Sequence, residues 1–269
     1  MSDGSVEMIS ISVVIPTCGR PALLDRAIAS VVEQRRSDIE IIVVDDNPEN
    51  PVKLHSKYAG NNIKIIHNEK NMGVARSRNR GIGAASAKWI AFLDDDDLWR
   101  PGFVDATLAA LESAPSEVAF SWCSIANVDH DETGMTIGVR PRIFAKSCDR
   151  EKTYQDALSI GTSWGFTVGR RCFDLIGQFD PSYKLIEDTE LIMRMVAADL
   201  AAVVVPEVLV EIHHHSDPGR PTSASRNRER AAEISRMLEQ NERLLAVYPR
   251  IEDGFRRYAD QLLSDGTAS

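Results

Sequence analysis

Residues 88–101 read KWIAFLDDDDLWRP, and this stretch decides the fold that we predict for the chain. Within it, residues 89–93 form a short apolar run, which is typical of a strand buried on both faces of a parallel sheet. Four aspartates, Asp94 to Asp97, follow directly. Sheets of this kind bind ligands beyond the carboxyl ends of their strands. The stretch therefore predicts an α/β fold with an acidic cluster at its ligand-binding edge.

The residues around this stretch repeat the alternation of strand and helix. Because helices separate the strands, we expect parallel pairing with helices on both faces of the sheet. The polar residues 17–20 and 45–47, which follow two of these strands, then lie on the same edge as the aspartates. The elements predicted in this half are strands at 9–15, 39–44, 63–67 and 89–93, and helices that begin at Pro21, Gly73 and Pro101.

The second half is less regular, and its predicted elements are strands at 118–124, 135–139, 163–168, 201–205 and 209–212, and helices from Arg170, at 187–199 and from about Ser225. Along the last helical part, a packing stripe is predicted that consists of Ala231, Ile234, Leu238 and Leu245. We divide the chain into a nucleotide-binding half at 1–114, an acceptor and catalytic half of the same domain at 115–223, and a helical extension at 224–269.

Composition limits the classes of function. The chain has 269 residues, 43% of them apolar, and a net charge of −9, which argues against a nucleic-acid-binding protein. Its four cysteines form no CxxC pair, so reduced thiols in a cytoplasmic protein are expected. The N-terminus does not resemble a signal peptide, and no apolar run reaches the roughly 18 residues that cross a bilayer. Peripheral contact with the inner face of a membrane stays compatible with this sequence.

The aspartate run predicts a metal site. Four adjacent carboxylates repel one another, and a divalent cation such as Mg²⁺ or Mn²⁺, which prefers oxygen ligands, relieves the repulsion. The alternative is a solvated acidic turn, or a helix cap formed by Asp97. The buried strand before the run and the other polar clusters on the same edge favour the metal site.

Two further clusters are candidates for binding a nucleotide. Asp46, after the second strand, either accepts a hydrogen bond from a nucleobase N–H or forms part of a turn. Arg76 and Arg80 lie four residues apart on one helix face, near a helix N-terminus, and either meet a diphosphate or form a solvated basic surface. We expect Arg78, between them, to be a solvated neighbour.

The second half contains candidates for a catalytic base, for an imidazole ligand and for an aromatic residue that stacks on a sugar. Asp188, in the Glu187-Asp188 pair, is either a general base for an acceptor hydroxyl or a helix cap. One of the histidines His213, His214 and His215 either completes a metal site or belongs to a solvated strand end, and His213 and His215 share a side because strand neighbours alternate. Trp164 either stacks on a sugar or belongs to the core.

Four segments together carry a family resemblance: SVVIPTCGR at 12–20, EIIVVDDN at 40–47, NMGVARSRNRGIGAASAKWIAFLDDDDLWRP at 71–101 and GQFDPSYKLIEDTELIMRM at 177–195. In this order they resemble the inverting glycosyltransferases of family 2, which have the GT-A fold. The resemblance implies a Rossmann-like, mostly parallel sheet flanked by helices, with a smaller acceptor-side subdomain and C-terminal helices.

The resemblance also implies roles for individual residues. Pro16, Thr17 and Arg20 line the nucleotide pocket, where many relatives have an aromatic residue in place of Cys18, and Asp46 contacts a uracil. In the DxD motif, Asp96 is the main ligand of Mn²⁺ or Mg²⁺, while Asp94 and Asp95 lie near the ribose and the donor sugar. The remaining roles are the catalytic base, Asp188, and a metal or phosphate contact, His215.

The implied reaction is the transfer of a sugar from a nucleoside-diphosphate sugar, usually a UDP-sugar, to a hydroxyl group of a glycan, lipid-linked or small-molecule acceptor. We expect the acceptor near Trp164, Gly165 and Glu187. One alternative is a nucleotidyltransferase, although the loop after the first strand lacks the lysine that such enzymes use. The other is a catalytically degenerate protein that only binds sugar nucleotides.

Overall fold

The structure is a computed structural model that describes residues 8–215 and 224–265. Residues 216–223, which end the predicted acceptor half, lie outside this description. The strands in the described residues are β1 (Ile11–Thr17), β2 (Ile39–Asp45), β3 (Ile63–His67), β4 (Trp89–Phe92), β5 (Leu98–Trp99), β6 (Val118–His130), β7 (Thr136–Arg142), β8 (Thr167–Gly169) and β9 (Ala201–His214). The α-helices there are α1 (Pro21–Val32), α2 (Val74–Ala84), α3 (Phe103–Ser113), α4 (Arg150–Ala157), α5 (Arg170–Ile176), α6 (Glu187–Ala197), α7 (Asn227–Gln240), α8 (Glu242–Leu245) and α9 (Pro249–Asp265).

One sheet runs through both halves of the chain, in the order β3-β2-β1-β4-β8-β6-β9-β5, with β7 paired to β6. The four predicted strands of the first half, β1 to β4, are parallel to one another, as the alternation with helices predicts. The short strand β5, which was not predicted, is antiparallel to β9. In the second half, β6 and β9 are parallel, whereas β8 is antiparallel to both of its neighbours. The predicted α/β fold is therefore confirmed, and the strands of the second half continue the sheet of the first.

Side chains of the central strands alternate between two hydrophobic cores, one on each face of the sheet. Val14 of β1 packs on the face covered by α2, while Val13 and Ile15 belong to the opposite core with α1 and α3. Helix α2 lies so close to β1 that a Cβ atom on Gly81 would come within 2.3 Å of Val14 Cγ1. A glycine at this position is therefore required for the close approach of helix and strand.

The second half departs from the sequence prediction in two places. Ala201–His214 is one continuous strand through Pro206 rather than two, and the register shifts in its pairing with β6 absorb the irregular residues. The predicted strand at 163–168 is mostly a turn, because the left-handed backbone at Gly165 breaks the extended run, and β8 spans only Thr167–Gly169. Helix α4 was not predicted, since only Tyr154 and Ala157 of its eight residues are buried.

The C-terminal helices pack against the core as predicted, and all four residues of the predicted stripe are buried. The cysteines are free thiols, with Cys18 and Cys148 exposed. In the part of the chain that the structure describes, no helix has the length and apolarity required to span a membrane.

Candidate active site

The ends of β1, β2 and β4 meet at one edge of the sheet, as predicted. Thr17 at the end of β1 donates a hydrogen bond from its hydroxyl to Asp95 Oδ2 at 2.6 Å, and its carbonyl accepts the amide N–H of Asp46 at 2.8 Å. The side chain of Arg20 donates to Asp95 and, at 2.9 Å, to Asp96 Oδ2. Three separate stretches of sequence therefore form one polar site.

The four aspartates alternate in exposure, since Asp95 and Asp97 are buried and Asp94 and Asp96 are partly exposed. The side chain of Asp95 is 0% exposed and contacts Thr17 and Arg20, so it connects the aspartate run to the end of β1. The expectation that Asp95 or Asp94 lies near the ribose and the donor sugar stays a prediction. Asp94 and Asp96 are the carboxylates that remain open to a ligand.

The charge of this run is not fully compensated by the protein. Burial raises the pKa of Asp95 to about 6, against the opposing effect of Arg20, and Asp94 and Asp96 raise it further. Burial and the same two neighbours also raise the pKa of Asp97 well above its usual value. A cation bound beside the run would relieve the part of these shifts that comes from repulsion between neighbouring carboxylates.

Arg78 joins the aspartate run to the second half of the chain. Its guanidinium donates to Asp94 Oδ1 at 2.8 Å and to Glu187 Oε1 at 2.7 Å, and the residue is only 4% exposed. The expectation of a solvated Arg78 is therefore wrong. The sequence did contain a signal, because Arg78 lies on the same helix face as the apolar residues Ala75 and Ile82, which are also buried.

Glu187 and Asp188 begin helix α6 in different environments. Glu187 is buried against Arg78, and burial together with the charge of Asp188 raises its pKa to about 7. The expectation that Glu187 contacts the acceptor stays a prediction. Asp188 is half-buried, its Oδ1 accepts the amide N–H of Thr189 at 2.7 Å, and burial raises its pKa despite the charge of Arg78. Asp188 is thus the carboxylate of the pair that a substrate can reach.

Gly161 separates Asp188 from Trp164. A Cβ atom placed on Gly161 would lie 3.5 Å from Asp188 Oδ2 and 3.3 Å from Trp164 Nε1. Trp164 is half-buried, and the guanidinium of Arg142 lies 5.0 Å from the centre of its ring. Trp164 and Asp188 therefore flank the same glycine, which fits the predicted acceptor region.

Gly165 follows Trp164 in the chain and packs towards the core. Its φ is +71°, and a Cβ atom there would come within 2.5 Å of Cys123 Sγ and 3.0 Å of Phe103 Cε2. The residue is buried against the core, and its contact with the acceptor stays a prediction. Its role is to allow a tight turn after Trp164.

The other predicted nucleotide contacts differ in their exposure to solvent. Asp46 is buried, and its carboxylate accepts N–H groups from Asn68 at 2.7 Å and from the backbone of Met72 and Gly73 at 2.7 and 2.8 Å. It therefore fixes the start of α2, and its contact with a nucleobase stays a prediction. The remaining positions are Pro16, buried in β1, Arg76, exposed on α2, and Arg80, exposed and hydrogen-bonded to His67 and Asn68.

A group of histidines lies next to the aspartate run, since the amide N–H of His213 donates to Asp97 Oδ1 at 2.9 Å. His213 and His215 share a side of β9, as predicted, and there they meet His130 at the end of β6. We call these three residues the histidine trio. His214 faces the other way, towards Asn127. The sequence did not indicate His130, because its position beside β9 follows only from the pairing of β6 with β9.

Comparisons with known proteins point to one family. A family model described as Glycosyl transferase family 2 matches residues 12–170. The protein named uncharacterized glycosyltransferase YwdF, from Bacillus subtilis, is 30% identical over 235 residues, which cover 87% of this chain and 84% of the relative.

Two solved structures share the fold. TarS 1–349 of S. aureus, in complex with UDP-GlcNAc, superposes with a TM-score of 0.68 at 17% identity, over 91% of this chain and 73% of the TarS 1–349 chain. Mannosyltransferase PcManGT from Pyrobaculum calidifontis, in complex with GDP-Man and Mn²⁺, superposes with a TM-score of 0.67 at 14% identity, over 98% of this chain and 74% of that protein.

Proposed function

The chain belongs to glycosyl transferase family 2, and from this premise we propose that it transfers a sugar from a UDP-sugar to a hydroxyl acceptor with inversion at the anomeric carbon. The observation that carries the proposal is the bridge formed by Arg78. Because one guanidinium contacts both Asp94 and Glu187, the aspartate run lies next to the Glu187-Asp188 pair, and we take the space that they border as the proposed cleft. In the proposed complex, the donor lies on the side of Asp96 and the acceptor on the side of Asp188.

The residues at the cleft fit a divalent cation. Asp94 to Asp97, Glu187 and Asp188 bring six carboxylates together, whereas Arg20 and Arg78 are the guanidinium groups that pair with them. Asp96, which is partly exposed, would hold Mn²⁺ or Mg²⁺, whose preferred ligands are oxygens. Such an ion would supply positive charge for the leaving diphosphate. His215, which the resemblance offers as a further ligand, lies in the histidine trio.

The chain's own side chains carry out the rest of the reaction. In the proposed step, the acceptor hydroxyl attacks the anomeric carbon opposite the diphosphate, the bond from that carbon to the diphosphate oxygen breaks, and Asp188 accepts the hydroxyl proton. Trp164 offers an aromatic face for the acceptor on the other side of Gly161. An α-linked donor then gives a β-linked product.

Asp96→Ala tests the metal role. We expect the affinity for UDP to fall about 10-fold or more when Mn²⁺ is present and to change little without it, because the variant removes a metal ligand. Isothermal titration under both conditions measures the difference, with the exposed Asp174→Ala on α5 as the matched control. Equal losses with and without Mn²⁺ would contradict this role for Asp96.

The pH dependence of transfer tests the base. A base acts when ionised, and burial raises the pKa of Asp188 above its ordinary value of 3.8. On acidification, activity is therefore expected to fall at a higher pH than it would with a base of ordinary aspartate pKa. Above that pH, where Asp188 is ionised, activity should be retained. Values of kcat/KM, obtained from initial rates between pH 4 and pH 9, measure this pH dependence. Circular dichroism over the same range checks that the fold is intact. A rate that stays constant down to pH 4 speaks against Asp188.

The identity of the nucleotide needs its own experiment. UDP-, GDP- and dTDP-sugars are compared for their stabilisation of the protein in a thermal shift assay with Mn²⁺. We expect the largest shift from a UDP-sugar, since the segments at 12–20 and 40–47 resemble those that hold uridine in the family. A larger shift from a GDP-sugar would replace the proposed donor but leave the transferase function in place.

A further inference from the structure

Arg142, the last residue of β7, lies next to the proposed acceptor region. The carbon atom of its guanidinium group is 5.0 Å from the centre of the Trp164 ring and 5.0 Å from the centre of the Phe144 ring. Trp164 and Asp188 flank the same glycine, Gly161, so a series of contacts joins Arg142 to the proposed base. An acceptor that lies at Trp164 and directs a hydroxyl group to Asp188 therefore has a guanidinium group beside it.

The positive charge of Arg142 has no acidic partner in the part of the chain that the structure describes. Its N–H groups donate to the hydroxyl oxygen of Ser159 at 2.6 Å and to the carbonyl oxygen of the same residue at 3.4 Å. Both of these acceptors are neutral. Asp156 is the carboxylate whose charge acts on Arg142, but it forms its ion pair with Lys152. The charge of Arg142 is therefore not neutralised by a direct contact.

This unpaired charge is partly removed from water. Arg142 is half-buried, and burial lowers the pKa of its guanidinium group, because the charged form loses hydration. Arg20 and Arg78, the guanidinium groups at the aspartate run, each pair with two carboxylates instead. A guanidinium group has five N–H donors, so after its two bonds to Ser159 Arg142 has donors left for a ligand.

We propose that Arg142 binds an anionic group, a phosphate or a carboxylate, that the acceptor carries beside the hydroxyl group that attacks the donor. The forked N–H groups of a guanidinium match the paired oxygens of either anion. This inference rests on the proposed transfer function and narrows its acceptor to a negatively charged compound. Arg142 is then a specificity-determining residue that holds the acceptor next to Asp188 and takes no part in the transfer of the proton.

Three probes with the same sugar ring test this assignment: glucose 1-phosphate, glucuronic acid and the neutral methyl glucoside. Each is titrated into the full chain in the presence of saturating UDP and Mn²⁺, which occupy the proposed donor site. Tryptophan fluorescence reports binding, because Trp164 is half-buried whereas Trp89, Trp99 and Trp122 are buried. We expect the better of the two anionic probes to bind about 10-fold or more tightly than methyl glucoside, since its hydrogen bonds to Arg142 are charge-assisted. Which of the two binds more tightly identifies the anion as a phosphate or a carboxylate.

Variants of β7 assign the preference to one side chain. Arg142→Gln is expected to lower the affinity for the anionic probe about 10-fold or more and to leave that for methyl glucoside unchanged. Arg142→Lys keeps the charge but not the planar fork, so it should retain part of the preference. Arg140→Gln is the matched control, because Arg140 is two residues away, has a side chain that is 70% exposed, and pairs with Asp129. This control should bind all three probes as the original chain does.

Two results would overturn the proposal. If Arg142→Gln weakened the charged and neutral probes equally, Arg142 would only support Trp164. If the original chain bound all three probes equally or bound neither anionic probe, the acceptor region would have no anion site. Both results leave the transferase function in place, since UDP binding and the Asp188→Asn variant test it separately. A chain that bound no UDP would contradict the proposed donor instead, and the same titrations without UDP would still decide whether Arg142 binds an anion.

Discussion

Replacing Asp188 by asparagine is expected to lower the rate of sugar transfer by about 100-fold to 10,000-fold, which is the usual contribution of a general base. Asparagine keeps the shape of the side chain, and its carbonyl can still accept the N–H of Thr189, so the start of α6 stays in place. It cannot accept the proton of an acceptor hydroxyl. The loss should therefore lie in kcat, with little change in the affinity for UDP.

Two measurements on Asp188→Asn separate the base from a structural role. Transfer rates at saturating donor and acceptor report the chemical step, and isothermal titration with UDP and Mn²⁺ reports donor binding. Asp174→Asn, an exposed aspartate on α5, should change neither. If Asp188→Asn lost UDP affinity as strongly as turnover, Asp188 would belong to the donor site instead.

Replacing Arg78 by methionine is expected to cost about 3–5 kcal/mol of unfolding free energy, because the buried carboxylate of Glu187 loses the partner of its charge. Asp94 is partly exposed and contributes less to this cost. Methionine fills much of the volume of the arginine stem, so the cost reflects charge more than packing. Arg78→Lys should recover only part of the loss, since one ammonium group cannot reproduce the planar fork that contacts both carboxylates.

Urea unfolding measures this cost through the shift in midpoint at constant slope. The matched control is Arg76→Met, two residues away and exposed on the same helix, for which a change within about 0.5 kcal/mol is expected. Equal stability of Arg78→Met and the original chain would mean that both carboxylates are protonated or solvated, and that the bridge contributes nothing to the cleft.

The sequence predicts the first half of the fold well for a physical reason. Strands such as Ile39–Asp45 are buried on both faces, so their apolar runs are continuous, and the helices between them carry clear apolar faces. The edge where β1, β2 and β4 end follows from parallel pairing alone. This is why the clustering of Thr17 with the aspartate run was predictable.

The sequence predicts the second half less well, because contacts distant in the chain decide it. The turn at Ser163–Gly165 replaces a predicted strand, since Gly165 must fit against Cys123 and Phe103. Which of several charged neighbours turns inward is also decided by such contacts. The exposure of Asp95 and Asp96 differs because Thr17 and Arg20 hold one of them in the interior, and their spacing alone does not contain this information.

The bridge made by Arg78 spans very different lengths of chain, with Asp94 16 residues away and Glu187 109 residues away. During synthesis on a ribosome, which proceeds from the N-terminus, the shorter pairing can form as soon as β4 has emerged, and the longer one must wait for α6. A nascent chain that stops before residue 187 therefore contains Arg78 with only one of its two acidic partners, Asp94. Such a fragment also lacks Asp188, so it should not catalyse the proposed transfer.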